Sequence, residues 1–237
     1  MYILYIRHGE STANLLKKTD PLFIFKLLFH PDAKLTDNGH EQARIMSINI
    51  INMLQLKGLE IVPFIFSSIL SRSIQTANNI VNVANNNFNL QLKTVVIPHI
   101  EEIPLTYNLP LEIQIPIDLQ NQPRNLYKIL EDNLTNDVIT NDVTNDSKNL
   151  SFEIIPELNP YDKDGNPILR INIKKFFESL DTIRSFIIKN GHQLKENSVI
   201  IIVSHRKTIK EITKLSIGNL GLVLQENVHN EILFDGF

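Results

Sequence analysis

The sequence contains no cysteine and no tryptophan. Without cysteine, disulfide bonds, thiolate nucleophiles and cysteine-ligated zinc sites are all excluded. No apolar run is long enough to cross a bilayer, so we expect no membrane partner. The net charge of −3 provides no basic field of the kind that attracts nucleic acid, so we expect no nucleic-acid partner either. Any pocket that binds an anion must therefore be locally cationic.

The length and composition suit one domain with a substantial core. The chain has 237 residues, of which 43% are hydrophobic, and we expect residues 1–237 to form a single domain. The first predicted strand begins at Met1 or Tyr2, which leaves no room for a signal peptide before it. We therefore expect a cytoplasmic protein.

Strand-like and helix-like stretches alternate along the chain. Apolar runs predict strands at Tyr2–Ile6, Pro63–Ser68, Leu92–Ile97, Asn197–His205 and Leu220–Gln225. Helical periodicity and caps predict four helices. The first has Thr36 or Asp37 as its N-cap, and the second begins at Ser71 or Ser73 and ends near Ala84. The third extends from about Ile173 to Lys189, and the fourth from Lys207 to Leu215. This order favours an α/β fold, a three-layer α/β/α sandwich with a mostly parallel central sheet.

Two segments do not follow this alternation. Leu15–Phe29 is predicted to be helical, and its apolar part, Phe23–Phe29, could cover a site, dock on the core or form a dimer patch. The oligomeric state is thus open between a monomer and a homodimer. Residues 104–172 contain a polar, asparagine-rich repeat without helical or strand period, which predicts a mobile, lid-like insertion.

Residues suited to anion chemistry follow four of the predicted strands. Arg7 and His8 follow the first strand, Arg72 the second, Glu102 the third, and His205 ends the fourth. Each alone has an ordinary interpretation, such as a solvated arginine, an exposed carboxylate or a histidine that caps a strand. Because parallel strands open at one edge of the sheet, their coincidence favours a single anion-binding site.

Four motifs, in this order, carry a family resemblance. They are Arg7-His8-Gly9-Glu10-Ser11-Thr12-Ala13-Asn14, Leu35-Thr36-Asp37-Asn38-Gly39-His40-Glu41-Gln42-Ala43, Ser67-Ser68-Ile69-Leu70-Ser71-Arg72-Ser73-Ile74-Gln75-Thr76-Ala77 and Val203-Ser204-His205. Together they resemble the histidine phosphatase superfamily, branch 1, also called phosphoglycerate mutase-like. The resemblance implies the phosphoglycerate mutase-like fold, and only about residues 105–172 have no counterpart.

The resemblance also implies a phosphoryl-transfer reaction on a small phosphorylated substrate. His8 would be the nucleophile that forms a phosphohistidine, since a neutral imidazole can attack phosphorus at moderate pH. Arg7, Arg72 and Asn14 would bind the phosphate oxygens, and His205 would donate a further hydrogen bond to them. With arginines as the charge clamp, no metal and no cofactor are expected.

The general acid is less sharply placed. Ile100-Glu101-Glu102-Ile103 resembles the family's leucine-any-glutamate stretch, which makes Glu102 the candidate that protonates the leaving alkoxide and then activates water. Glu101 is the alternative, because the alignment depends on a single apolar match at Ile100.

The phosphoryl acceptor decides the overall reaction. Water would make the protein a phosphatase, whereas a second hydroxyl would make it a phosphoglycerate mutase. Cofactor-dependent mutases of the family have a tryptophan-containing stretch after the Arg-His-Gly (RHG) motif. This chain contains no tryptophan, so a phosphatase is favoured. A non-catalytic scaffold that binds phosphorylated ligands is the third alternative.

Arg124 and Lys128, in the insertion, could contact a second anionic group, although a solvated surface is the simpler interpretation.

The assignment of the acid can be tested with Glu102→Ala. Loss of a general acid slows alkyl phosphates by roughly 10²- to 10⁴-fold, whereas nitrophenyl phosphate, whose leaving group needs no proton, is nearly spared. Values of kcat/KM on the two substrate classes measure this difference, because kcat/KM reports formation of the phosphohistidine and is independent of the later hydrolysis step, in which Glu102 also acts. Equal losses on both would exclude Glu102 as the acid and direct attention to Glu101.

Overall fold

The structure is a computed structural model that describes residues 1–22, 33–68, 70–97, 100, 153–154 and 173–237. Its central element is one mixed sheet. Its seven described strands have the order β4-β3-β2-β5-β1-β6-β7. The first five in this order are parallel, and β6 and β7 complete the sheet as antiparallel strands. The strands are β1 (Tyr2–Arg7), β2 (Glu60–Ser67), β3 (Lys93–Val96), β4 (Glu153–Ile154), β5 (Ser198–Ser204), β6 (Leu222–Glu226) and β7 (His229–Phe234).

Five helices are described alongside the sheet. They are α1 (Thr12–Thr19), α2 (Asp37–Leu56), α3 (Ser71–Phe88), α4 (Ile173–Lys189) and α5 (Arg206–Thr213). None of the described helices has the length and apolar character needed to cross a membrane.

The inner strands β1 and β5 are buried on both faces, and alternate side chains of β1 contact different helices. Leu4 and Ile6 of β1 pack in a cluster with α2 and α3, whereas Ile3 and Tyr5 pack in a second cluster with α4 and α5. This two-sided burial explains why β1 and β5 are continuous apolar runs rather than alternating ones. The predicted three-layer α/β/α sandwich with a mostly parallel sheet is confirmed.

Local signals placed most of the elements correctly. Thr36 is the N-cap of α2, and its hydroxyl accepts a hydrogen bond from the Gly39 N–H. The prediction for Leu15–Phe29 was partly wrong, because α1 begins after Ser11, whose capping box includes Asn14, and ends at Thr19. Asp20 is extended, as expected for a residue that precedes proline. Residues 23–32, and with them the predicted Phe23–Phe29 surface, lie outside the described residues.

Two strands were not predicted. β7 forms a hairpin with β6 around Asn227, which adopts the left-handed conformation (φ 53°) that asparagine tolerates in tight turns. Its side chains are largely exposed, so it lacks the apolar pattern by which a strand is recognised. β4 pairs with β3 from within the predicted insertion, which corrects the expectation that this region contains no strand. The rest of residues 104–172, including the predicted mobility, lies outside the described residues.

The loop after β1 packs closely against the start of α2. The Thr36 N–H donates to the Glu10 carbonyl oxygen at 3.0 Å, which brings Gly39 directly over the Glu10 backbone. A Cβ at Gly39 would overlap that backbone, and a Cβ at Gly9 would lie 2.9 Å from the Gly39 carbonyl oxygen. Glycine is thus required on both sides of this contact.

Replacement of Gly39 by alanine should therefore destabilise the fold. Overpacking against a backbone that cannot yield costs about 1–3 kcal/mol, more than the helix propensity that alanine gains. The free energy of unfolding, measured by urea denaturation, should fall by this amount. Gly58→Ala is the control, because its Cβ meets nothing within 4 Å and the variant carries only the strain of its positive φ (67°). A Gly39→Ala protein as stable as the wild type would contradict the close contact.

Candidate active site

The candidate site lies at the edge of the sheet where β2, β5 and β1 end side by side. The ladder continues one step into the loops: the His8 N–H donates to the Ser204 carbonyl oxygen, and the Ser68 N–H donates to the Val203 carbonyl oxygen, both at 3.0 Å. These bonds bring His8, Ser68 and His205 to one edge, as the parallel topology predicts.

His8 is buried, with 3% of its surface exposed, and both ring nitrogens have partners. Nδ1 lies 2.7 Å from the Gly9 carbonyl oxygen, and since a carbonyl can only accept, Nδ1 carries the proton. Nε2 accepts a hydrogen bond from Arg72 Nε at 3.3 Å. The ring is thus held as the tautomer whose lone pair is on Nε2, facing a guanidinium group.

The surroundings of His8 favour its neutral form. Burial lowers the pKa of His8 well below its usual value, and the positive charges of Arg72 and Arg7 lower it further. The hydrogen bond to the Gly9 carbonyl acts in the opposite direction but is outweighed. At neutral pH the imidazole is therefore uncharged, as a nucleophile must be.

Arg72 is the second residue of α3 and is 5% exposed. The first turn of α3 contains no acidic residue, and a cation at a helix N-terminus is unfavourable unless it faces an anion. Thr76, one turn later, donates to the Arg72 carbonyl oxygen at 2.7 Å and accepts from the Gly9 N–H at 3.0 Å. This hydroxyl joins the loop that contains His8 to the helix that contains Arg72.

Arg7, the last residue of β1, is partly buried and is held by the loop before β6. Its Nη1 donates to the Ile217 carbonyl oxygen at 3.2 Å, and its own carbonyl oxygen accepts from the Leu220 N–H at 3.1 Å. Its charge acts on both histidines, since it contributes to the lowered pKa of His8 and of His205.

His205 follows β5 and is fully buried at the start of α5. Its ring centroid lies 5.2 Å from that of His8, and its Nε2 lies 2.7 Å from Ser68 Oγ. Burial lowers the pKa of His205 well below its usual value, with further contributions from Arg72, His8 and Arg7. The structure thus brings Arg7, His8, Arg72 and His205 together.

Asn14, which is predicted to bind phosphate, uses its side-chain oxygen in the N-terminal cap of α1. Its Oδ1 accepts hydrogen bonds from the Ser11 N–H at 3.1 Å and the Ser11 hydroxyl at 2.9 Å, and Asn219 Nδ2 approaches the same oxygen at 3.4 Å. These contacts orient the amide and assign its oxygen to the cap of α1. Its NH₂ group has no part in them, so donation to phosphate stays a prediction.

Glu10 is the described carboxylate nearest to the RHG motif in sequence, and it is committed to other contacts. Its carboxylate accepts hydrogen bonds from Asn38 Nδ2 at 3.2 Å, Thr36 Oγ1 at 3.0 Å and Lys18 Nζ at 3.4 Å. The bonds from Asn38 and Thr36 lower the pKa of Glu10, which makes it a poor proton donor.

The predicted general acids are not among the described residues. Glu102 and its alternative Glu101 both lie outside them, as do Arg124 and Lys128. Ile100, just before the two glutamates, is described, and its carbonyl oxygen accepts a hydrogen bond from the Ser204 hydroxyl at 2.7 Å. The chain that leads to the candidate acids is thus tied to the end of β5.

Sequence reasoning missed three buried hydroxyl groups at the site, those of Ser68, Ser73 and Thr76. Two of them contact His205, and the third joins Gly9 to Arg72. A signal was present, because Ser73 and Thr76 flank the apolar residues Ile74 and Ala77 on the buried part of α3. Polar side chains on a buried surface need hydrogen-bond partners, and here the partners are groups of the candidate site.

No group of three or more histidine, aspartate or glutamate side chains that could hold a metal ion occurs within the described ranges.

Comparison with known proteins places this geometry in context. Residues 3–103 match the family model of the histidine phosphatase superfamily, branch 1. No curated protein matches the chain. The chain is similar to the ecdysone phosphate phosphatase of Bombix mori in complex with tungstate, with 13% identity and a TM-score of 0.50 over 98% of this chain and 91% of that chain. At this identity the likeness shows a shared fold.

Two further solved structures are similar over most of their length. The mycobacterial glucosyl-3-phosphoglycerate phosphatase in complex with VO3 has 13% identity and a TM-score of 0.47, covering 98% of this chain and 97% of that chain. The phosphoglycerate mutase of Plasmodium falciparum has 13% identity and a TM-score of 0.40, covering 98% of each chain.

The two buried histidines should make the stability of the protein depend on pH. Each has a lowered pKa in the folded state and its ordinary value, near 6.5, when unfolded. Below about pH 6.5 the unfolded chain binds protons that the native protein does not, so the free energy of unfolding should fall as the pH falls. Each group contributes a slope of at most about 1.4 kcal/mol per pH unit.

Urea denaturation between pH 7.5 and pH 5.5 measures this slope. His8→Gln and His205→Gln should each reduce it, because glutamine does not titrate. His229→Gln, at an exposed position at the start of β7, is the control and should leave the slope unchanged. An identical slope in the wild type and in both buried-histidine variants would contradict the argument.

Proposed function

We propose that the chain is a phosphomonoester hydrolase of the histidine phosphatase superfamily, branch 1, whose family model matches residues 3–103. The reaction proceeds through a covalent phosphohistidine on His8, and the substrate is a small phosphorylated molecule. One observation carries the proposal: the buried, neutral His8 ring has its proton on Nδ1 and its lone pair on Nε2, next to Arg72.

The first half-reaction forms the phosphohistidine. A phosphomonoester dianion binds to the guanidinium groups of Arg72 and Arg7 and competes with His8 for the Arg72 N–H. The Nε2 lone pair, thus released, attacks phosphorus in line as the P–O ester bond breaks. The leaving alkoxide takes a proton from the general acid, for which Glu102 is the candidate. The charge that spreads over the phosphoryl oxygens is balanced by the two arginines.

The second half-reaction returns the enzyme to its starting state. The carboxylate that gave up its proton removes one from water, and the resulting nucleophile attacks the phosphohistidine. The N–P bond breaks, inorganic phosphate leaves, and His8 recovers its Nε2 lone pair. The Gly9 carbonyl keeps the Nδ1 proton in place throughout, so the same nitrogen attacks in every cycle.

Water is proposed as the acceptor because the chain lacks the tryptophan-containing stretch of cofactor-dependent mutases. The chemistry at His8 is the same for a mutase, which passes the phosphoryl group to a second hydroxyl instead. The two reactions therefore differ in their product, and product analysis separates them.

The test is phosphate release from a panel of phosphomonoesters that includes 3-phosphoglycerate, with a chelator present. The wild-type protein should release phosphate, and His8→Ala should lower the rate by roughly 10³-fold or more, because no other group replaces the nucleophile. His229→Ala, which removes an exposed histidine far along the chain from the motifs, is the matched control and should keep full activity. Rapid quenching should trap an acid-labile phosphoryl group on the wild type but not on His8→Ala.

Other outcomes would replace the proposal. Isomerisation of 3-phosphoglycerate with little release of phosphate would identify a mutase. Tight binding of phosphorylated compounds with no turnover and no labelled histidine would favour a scaffold. Activity that survives in His8→Ala would exclude the phosphohistidine route.

A further inference from the structure

Two serine hydroxyls converge on one nitrogen of His205. Ser68 Oγ lies 2.7 Å from His205 Nε2, and Ser73 Oγ lies 3.3 Å from the same atom. All three residues are buried, with no measurable exposure. The shorter contact is in the range of a strong hydrogen bond, so Ser68 is the principal partner of Nε2.

The other contacts of Ser68 decide which atom donates. Ser68 Oγ accepts, at 3.4 Å, a hydrogen bond from the Leu70 N–H, which can only donate. Within the described part of the chain, the one acceptor in hydrogen-bond reach of the Ser68 hydroxyl is His205 Nε2. A buried hydroxyl needs an acceptor for its proton. Ser68 therefore donates to Nε2, and Nε2 offers its lone pair.

The position of a single proton on His205 matters because the ring is neutral. Burial lowers its pKa, and among the described residues the charged or titratable groups that act on it are Arg72 from α3, His8 from the loop after β1 and Arg7 from β1. All three disfavour a second proton on the ring. A neutral imidazole has one N–H to place, on either Nδ1 or Nε2.

We propose that Ser68 is a positioning residue that fixes the proton of His205 on Nδ1. Building on the proposed function, this tautomer lets His205 present an N–H to a phosphoryl oxygen, as its role in binding phosphate requires. The alternative tautomer would offer no proton at Nδ1, and a lone pair repels an anionic oxygen. The two histidines of the site would then share one tautomer, His8 through a carbonyl and His205 through a hydroxyl.

The tautomer can be read directly from the full-length protein, without substrate. Two-bond ¹H–¹⁵N correlation spectra of uniformly ¹⁵N-labelled protein at pH 7.5 distinguish Nδ1–H from Nε2–H rings. The chain has seven histidines, and the spectrum of His205→Gln identifies the signals of this one. We expect Nδ1–H in the wild type and a substantial Nε2–H population in Ser68→Ala. An Nε2–H ring in the wild type would overturn the proposal, even if Ser68→Ala fails to fold.

Ser67→Ala is the matched control. Ser67 is an equally buried serine at the same strand end, but its hydroxyl donates to the Ser68 carbonyl oxygen at 2.9 Å and does not touch the ring. This variant should keep the wild-type tautomer. If Ser68→Ala also keeps it, and only the double variant Ser68→Ala/Ser73→Ala changes it, either hydroxyl is sufficient and the assignment to Ser68 is wrong.

Activity adds a second readout once turnover is established. A misplaced donor next to the reacting group costs on the order of 10- to 100-fold in kcat, with a smaller change in KM. Ser68→Ala should show this loss, Ser67→Ala should not, and Ser68→Thr should restore part of it by restoring the hydroxyl. Full kcat in a Ser68→Ala protein whose tautomer has changed would overturn the role in phosphate binding. An inactive wild type would refute the proposed function but leave the spectroscopic result intact.

Discussion

The site depends on the parallel pairing of β1 with β5, with β2 on the other side of β5. This pairing places Arg7 opposite Ser204 and extends into the loops through the bond between the His8 N–H and the Ser204 carbonyl. His8 and His205 each follow one of the two strands, so the register of the sheet sets the 5.2 Å separation of their rings. A slip of one residue would turn the strand side chains to opposite faces and separate the two rings.

Several buried polar groups around this edge form hydrogen bonds that join distant parts of the chain. The Thr76 hydroxyl accepts a hydrogen bond from the Gly9 N–H, and the Gln75 side-chain oxygen accepts one from the Leu35 N–H at 2.8 Å. The Ser204 hydroxyl donates to the Ile100 carbonyl oxygen. An unmet buried group of this kind costs about 1–3 kcal/mol, so these bonds are required for stability as well as for geometry. They also connect α3 to the loop after β1, which keeps Arg72 at a defined distance from His8.

The burial of these groups also determines the protonation state of the two histidines. His8 and His205 are withdrawn from water beside Arg72, and burial together with the charge of Arg72 lowers the pKa of both histidines. A neutral His8 can act as a nucleophile, while Arg72 and Arg7 keep the site attractive to a dianion. The cationic character is therefore local, in agreement with a chain whose net charge is −3.

The sequence by itself determined the layers of the fold and the residues that meet at the sheet edge. Continuous apolar runs such as that of β5 are typical of strands buried on both faces, and caps such as Thr36 act on their own helix, so both can be recognised locally. The exposed strand β7 escaped recognition because it has no apolar period. Arg7, His8, Arg72 and His205 could be named because each follows a strand whose end is predictable from its neighbours.

Only the tertiary structure decided which of those side chains donate and which accept hydrogen bonds. The contact between Ser68 and His205 joins residues 137 positions apart, and whether a hydroxyl lies 2.7 Å from a ring nitrogen depends on how the strands and α3 pack. The same holds for Thr76 between Gly9 and Arg72, and for Asn14, whose oxygen caps α1. Composition and spacing specify which groups are present, whereas the direction of each hydrogen bond depends on the packed surroundings of both partners.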